Sequence, residues 1–288
     1  RDLVQARTCF ESALKLEDNK ISFRSLSMLL RQVGTSDLEK NNNIDESLKF
    51  AKNAIKADAT DGHSWFVLGN TYLAMFFARM ETVDHVKQAL KAYKKAETDK
   101  TEGTNNPDLH MNRATIHRYQ EDYAQAIEGF QLAALLDPGW PEPTNALQQL
   151  QEKLERINTM IAKKGGFKAK KLTEAMDMLK LTDDENEHKT ISNLKDNIND
   201  LCNIRLHVMT VFSQETLPQT YCAIDREGSW VCVTVYNMEQ GAIQVNDTIE
   251  IPEPYFRAIK LQTVSANKSS SLEAHVIEFN SIRVDNPV

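Results

Sequence analysis

At 288 residues, 26% charged and 41% apolar, with a net charge of −7, the chain has the composition of an ordinary soluble protein and the length for two cores. It has no run of 18 apolar residues, so no membrane span is expected, and its acidic balance excludes bulk attraction to nucleic acid, leaving only local basic patches. Four scattered cysteines, Cys9, Cys202, Cys222 and Cys232, lack zinc-site spacing and disulfide density, which predicts a reducing compartment.

Ala6, Phe10 and Ala13 lie four and three residues apart, small residues that let a neighbouring helix approach and an aromatic that fills the gap. This is the pattern of the second helix of a pair, and the expectation is an array that continues upstream of Arg1. Residues 21–33 form the next predicted helix, with Phe23, Leu26, Ser27 and Leu30 on its packing face. A polar insert, Gly34 to Asn43, then precedes a helix carrying Ser47, Ala51 and Ala54.

Trp65, Leu68, Gly69 and Tyr72 match the tetratricopeptide pattern W-x2-L-G-x2-Y. Its partner helix holds Ala89, Tyr93 and Ala96, displaced by a longer connection placed at Met80 to Lys87. The clearest second helix follows the run Leu109–Tyr119: Ala126, Phe130 and Ala133, closed by Asp137-Pro138, where proline forbids further helix. A long helix to about Lys163, rich in Gln and Glu, reads as the cap of a solenoid. Lys163, Lys164, Lys168, Lys170 and Lys171 then cluster around Gly165-Gly166, ahead of an amphipathic run, Leu172 to Leu181, and an acidic linker, Asp183 to Glu187.

The last hundred residues change period. Ile204, Leu206 and Val208 alternate, as do Val231, Val233 and Val235; Thr248 to Ile251 is β-rich, and Arg226-Glu227-Gly228-Ser229 is a hairpin turn signal. The expected fold is an all-α tetratricopeptide repeat solenoid over 1–163 and a small all-β barrel or sandwich over 191–288, in which Gly241 to Ile251 has the look of an OB-fold strand, joined by the basic segment, short helix and linker of 164–190.

No metalloprotease helix pair, phosphate-cradling loop or nucleophile elbow occurs; no catalytic residue, metal site or cofactor is expected, and the chain reads as non-enzymatic. His110 and His117 read as polar substitutions inside a helix pair. A tetratricopeptide array instead offers a groove lined by the first helix of each pair. Counting Trp65 as position 4, position 2 holds His63, Asp108 and Glu142, position 9 holds Asn70, and position 12 holds Arg31 and Arg118. Acids at one level and arginines at another suit an extended charged peptide, with an arginine on the acids, a carboxylate on Arg31 and Asn70 on the peptide backbone. The alternative is a solvated helix face.

Five lysines in nine residues read either as a solvated helix end or as contacts to a phosphate backbone. The barrel segment 191–288 carries seven basic against twelve acidic side chains, a net of −5 that disfavours nonspecific single-strand binding. Trp230, Tyr236 and Phe212 are expected in its core rather than as stacking platforms.

The runs Ser27-Met28-Leu29-Leu30-Arg31-Gln32, Trp65 to Tyr72, Asn106 to Thr115 and Leu136 to Pro143, followed by Tyr236-Asn237 and Ile249 to Pro254, together resemble the tetratricopeptide repeat protein 5 (Strap) family. The resemblance implies a repeat array joined to an OB fold, in the cytoplasm and nucleus. It implies an adaptor that reads the N-terminal Met-Arg-Glu motif of nascent tubulin at the ribosome and triggers decay of the tubulin message through an mRNA-decay adaptor. It also implies a nuclear, stress- and DNA-damage-responsive role, bridging an acetyltransferase coactivator and transcription factors, with the OB fold contacting DNA or chromatin. The family's peptide-binding residues fall on Arg31, Asp108 and Glu142, and its ribosome-contacting lysines on Lys168 and Lys170, so ribosomal RNA is the partner implied for the lysine cluster.

Overall fold

A computed structural model describes residues 3–79, 83–99, 103–182, 188–213, 218–266, 272–285 and 287. The chain divides into two compact units, Arg1–Gln148 and Gln149–Val288.

The first unit holds α1 (Leu3–Leu16), α2 (Lys20–Leu30), α3 (Asp37–Ala57), α4 (Gly62–Arg79), α5 (Val83–Ala96), α6 (Pro107–Tyr119), α7 (Tyr123–Leu136) and the start of α8 (Pro141–Ala162). α2 packs on α3, α4 on α5 and α6 on α7. Small residues set the approach: Ala51, Ala54, Ala89, Ala96, Ala126 and Ala133 are fully buried. Gly69 of α4 lies so close to the Tyr93 ring of α5 that a Cβ would drive into it, and a Cβ on Gly129 would come within 2.8 Å of Ala114 Cβ across the α6–α7 seam. Where α2, α3 and α4 meet, the buried hydroxyls of Ser27, Ser47 and Thr71 satisfy one another at 2.9 to 3.3 Å, and Thr71 also donates to the Val67 carbonyl.

Two expectations are corrected. The polar stretch Gly34–Asn43 is mostly helix, because α3 begins at Asp37: Ser36 accepts from the Glu39 N–H, and Glu39 in turn accepts from the Thr35 N–H and hydroxyl. The stretch Met80–Lys87 is not a long loop. α4 runs to Arg79 and α5 starts at Val83 with Val86 buried; residues 80–82 lie outside the described residues. The longer connection falls instead between α5 and α6. There Gly103 N–H donates to the Asp99 carbonyl, the buried His110 ring holds the Thr104 carbonyl at 2.9 Å, and Arg113 pairs with Glu97.

In the second unit, α8 leads through a 3-10 turn, Lys164–Gly166, to α9 (Ala169–Thr182), then β1 (His188–Lys189), β2 (Asn197–Ile198), β3 (Asn203–Ser213), β4 (Gln219–Ile224), β5 (Trp230–Val235), β6 (Thr248–Pro252), β7 (Tyr255–Ala266) and β8 (Leu272–Val284). The strands run in the order β1-β3-β4-β5-β8-β7-β2, with β6 antiparallel to β3 and β5 parallel to β8. Ile204, Leu206, Val208, Val231, Val233 and Val235 meet in one core as alternation requires. Every residue of β4 and β5 is nevertheless buried, because the opposite face, with Cys222, Ile224 and Trp230, packs against Ala175 of α9 and Phe167. Trp230 and Tyr236 are core residues, as expected. Asp225 holds the β4–β5 turn by accepting from the Ile191, Glu227 and Ser229 N–H groups. The acidic linker 183–187 lies outside the described residues.

Candidate functional site

The positions counted in the sequence fall at the ends of α2, α4, α6 and α8 and, for Asn70, within α4. Asn106 caps α6 by accepting from the Leu109 N–H at 3.2 Å, and Pro107 occupies the first turn, where a missing N–H costs nothing. Asp108 is thereby set at the positive end of the α6 dipole, exposed to solvent. Glu142 is likewise exposed in the first turn of α8, and His63 stands in the first turn of α4, edge-on to Phe66. Arg118, in the last turn of α6, lies over the Phe130 ring at 5.7 Å.

Arg31 caps the C-terminus of α2, where a cation faces the negative end of the helix. Its Nε is buried without a hydrogen-bond partner, and burial pushes the guanidinium below its ordinary pKa, although an arginine remains charged at neutral pH. Beside it stands Tyr93, whose phenol is raised above its ordinary value, first by burial, with the Arg31 charge opposing. The Tyr93 hydroxyl donates to Asn70 Oδ1 at 2.7 Å, and Asn112 Nδ2 donates to the same oxygen at 2.9 Å.

Two donors on one carbonyl oxygen fix the Asn70 amide, so its NH2 is turned away from both, and that nitrogen has no partner among the described residues. No carboxylate reaches Arg31 among them either. A half-buried guanidinium and a fixed amide donor on either side of Tyr93 have hydrogens to give and, among the described residues, no carboxylate of their own, which is the chemistry that receives a carboxylate or a peptide carbonyl.

Arg31 and Asn70 are thus linked through Tyr93, while Asp108, Glu142 and His63 stand in the first turns of α6, α8 and α4, and Arg118 in the last turn of α6. Repeat arithmetic missed Asn112 and the Tyr93 hydroxyl. Asn112 had a signal, since it lies one helical turn after Asp108 on the same face.

The lysine cluster lies in the second unit. Lys163, Lys164, Lys168 and Lys170 are exposed, and Lys171 lies over the Phe167 ring at 4.5 Å. Lys164, Gly165 and Gly166 all have positive φ (47°, 64° and 67°), a tight reversal that the two glycines make accessible and that sets Lys163, Lys164 and Lys168 in the connection just ahead of Lys170 and Lys171 in the first turn of α9. No group of three or more metal-ligating side chains occurs among the described residues, and none of their helices is long and apolar enough to cross a membrane.

The family described as "Tetratricopeptide repeat protein 5 OB fold domain" matches residues 185–288. Tetratricopeptide repeat protein 5 of Homo sapiens is 36% identical over 306 residues, covering 100% of this chain and 68% of that protein; the Mus musculus protein of the same name is 36% identical over 309 residues with the same coverage. Among solved structures, a thermophilic TPR protein of Thermus thermophilus aligns with 20% identity and a TM-score of 0.43, over 54% of this chain and 76% of that one. The chain is an adaptor-type tetratricopeptide repeat protein and belongs to the tetratricopeptide repeat protein 5 family.

Proposed function

We propose that the chain is a non-enzymatic adaptor whose first unit binds the N-terminal Met-Arg-Glu segment of nascent tubulin, whose lysine cluster contacts ribosomal RNA, and which recruits an mRNA-decay adaptor to trigger decay of the tubulin message. The observation that carries the reading is the donor-only cluster of Arg31 and Asn70, which lacks the one thing an adjacent glutamate brings, a carboxylate. Asp108 and Glu142, exposed on first turns, supply the opposite sign for the arginine beside it. Each charged contact of this kind contributes about 1.5–3 kcal/mol. The nuclear cofactor reading draws less support, since Trp230 and Tyr236 sit in the barrel core and offer no stacking face.

The test is fluorescence anisotropy of a labelled Met-Arg-Glu-Ile peptide with the whole chain and with Arg31→Ala, Asp108→Ala and Glu142→Ala. Each substitution is expected to weaken binding about tenfold or more, equivalent to ~1.4 kcal/mol. Equal affinity in all four proteins would reduce these charges to a solvated face and overturn the assignment.

A further inference from the structure

The barrel carries a second candidate site, built from an open strand edge and a cavity beside it. In β6, Ile249 and Ile251 point toward the core, while Thr248, Glu250 and Pro252 are exposed. The main-chain parity follows from the two ends of the β3–β6 ladder: Glu253 N–H donates to the Cys202 carbonyl and Val208 N–H to the Asp247 carbonyl, each at 2.8 Å. Odd-numbered residues of β6 therefore bond to β3, and the main-chain groups of Thr248, Glu250 and Pro252 face the other way. No strand pairs with that side among the described residues. Pro252 lies in the ladder at a position where its missing N–H belongs to this open side, as proline in a sheet requires.

The edge opens because the chain kinks at Glu253, a non-glycine residue with φ 44°, so β7 departs to pair with β8 instead of continuing along β6. In the wedge left between β6 and the end of β8 lies a cavity of about 630 Å3. Its floor is Val233, Val235 and Ile251, core residues no more than 6% exposed, and Met238 and Val284 stand beside them. Glu250, Glu253 and Asp285 stand around it. Glu250 pairs with Arg205 and Asp285 with Arg283, each at 2.6 Å, and Arg283 also lies over the Tyr236 ring, so Glu253, which among the described residues accepts only from the Leu201 N–H at 3.4 Å, supplies the rim's uncompensated negative charge.

We propose that β6 is a docking edge for an extended segment of a partner protein, which adds a strand along Thr248–Pro252, sets an apolar side chain on the Val233–Val235–Ile251 floor and places a flanking lysine or arginine against Glu253. Strand addition of this kind takes its affinity from main-chain hydrogen bonds and its selectivity from pockets for alternate side chains. The edge presents main-chain donors and acceptors, the cavity accepts an apolar group at the strand's own spacing, and the rim sets the preferred sign.

The whole chain is titrated with fluorescein-labelled Lys-Val-Thr-Val-Thr-Val-Lys and with its twin flanked by glutamates, while hydrogen exchange follows the Thr248 and Glu250 amides. The lysine-flanked peptide is expected to bind at least tenfold more tightly, to slow exchange at both amides, and to bind an Arg31→Ala protein unchanged, which separates this site from the groove. Thr248→Pro, which removes an outward N–H and leaves the β3 ladder intact, is expected to abolish binding. Glu253→Lys, on an exposed position outside the ion pairs, is expected to reverse the charge preference in a protein whose thermal midpoint is unchanged. Absence of binding to the folded protein, binding indifferent to flanking charge, or slow exchange of both amides before peptide is added would each overturn the proposal, the last by showing that this chain or a second copy already covers the edge.

Discussion

A single hydroxyl decides how well the Arg31 cluster is prepared for a ligand. Tyr93 is fully buried, its ring pressed on Gly69, so its hydroxyl has one available geometry, and that geometry holds Asn70. Tyr93→Phe keeps the ring and the packing, and leaves Asn112 alone to orient the amide. We expect it to lower stability by ~1 kcal/mol in a denaturant titration, the ordinary net worth of one hydrogen bond. Peptide affinity is expected to fall as well, by several-fold, because an amide held by one bond instead of two is less ordered before the ligand fixes it. Unchanged affinity in this variant would mean that Asn70 takes no part in binding. Repeat arithmetic singled out Arg31 and Asn70, since both follow from counting, and Tyr93 links them. It did not bring Tyr93 and Asn112, because an aromatic at a packing position carries no sign that its hydroxyl will be used, and Asn112 lies one step from the positions conventionally counted.

At the scale of the helix, the start of α2 is clamped to the turn between α3 and α4. Lys20 reaches Asp58 at 2.8 Å and Asp61 at 3.1 Å, and Arg24 reaches Asp61 at 3.0 Å. The Lys20 ammonium and the Thr60 hydroxyl and N–H hold Asp58 well below its usual range. Burial would raise Asp61, but Ser64, Lys20 and Arg24 outweigh it, and its pKa also ends below the ordinary 3.8. Groups depressed in the folded state contribute stability above their unfolded pKa and lose it as pH falls through the folded value. The thermal midpoint is therefore expected to hold its clamp contribution down to about pH 4 and lose it below. Lys20→Gln with Arg24→Gln is expected to lower the midpoint at neutral pH and flatten this part of the acid profile; parallel profiles for the two proteins would show that the clamp is not what titrates. Helix packing faces were legible at this scale because alanine and aromatic spacing is a local pattern. The start of α3 was not, since Ser36 and Glu39 make a helix start inside a stretch with little apolar content. The second buried face of β4 and β5 was hidden too, because alternation reads a strand alone and cannot see α9 arriving on it.

For the whole molecule, the proposal assigns peptide selection and ribosome attachment to different kinds of interaction, and these respond differently to salt. The Arg31 cluster is half-buried around a fully buried Tyr93 and less screened, whereas Lys163, Lys164, Lys168 and Lys170 are exposed and would act through counterion release, each phosphate contact adding about 0.7–0.9 to the slope of log affinity against log salt. Lys168→Glu with Lys170→Glu removes two such contacts and adds two repulsions. Ribosome co-sedimentation is expected to fall at least tenfold in moderate salt, with a shallower salt slope, while anisotropy with the Met-Arg-Glu peptide stays at the parental value. Arg31→Ala should give the converse: peptide binding lost, and co-sedimentation kept with ribosomes that carry no tubulin chain. Lys170 has a neighbour in Glu174 at 3.7 Å, so Glu174→Gln tests whether the patch acts through charge alone. Removing that acid should strengthen ribosome binding and steepen the slope. If the lysine reversal instead weakened the free peptide as much as the ribosome, both signals would come from one surface, and the division of labour between the two units would have to be abandoned.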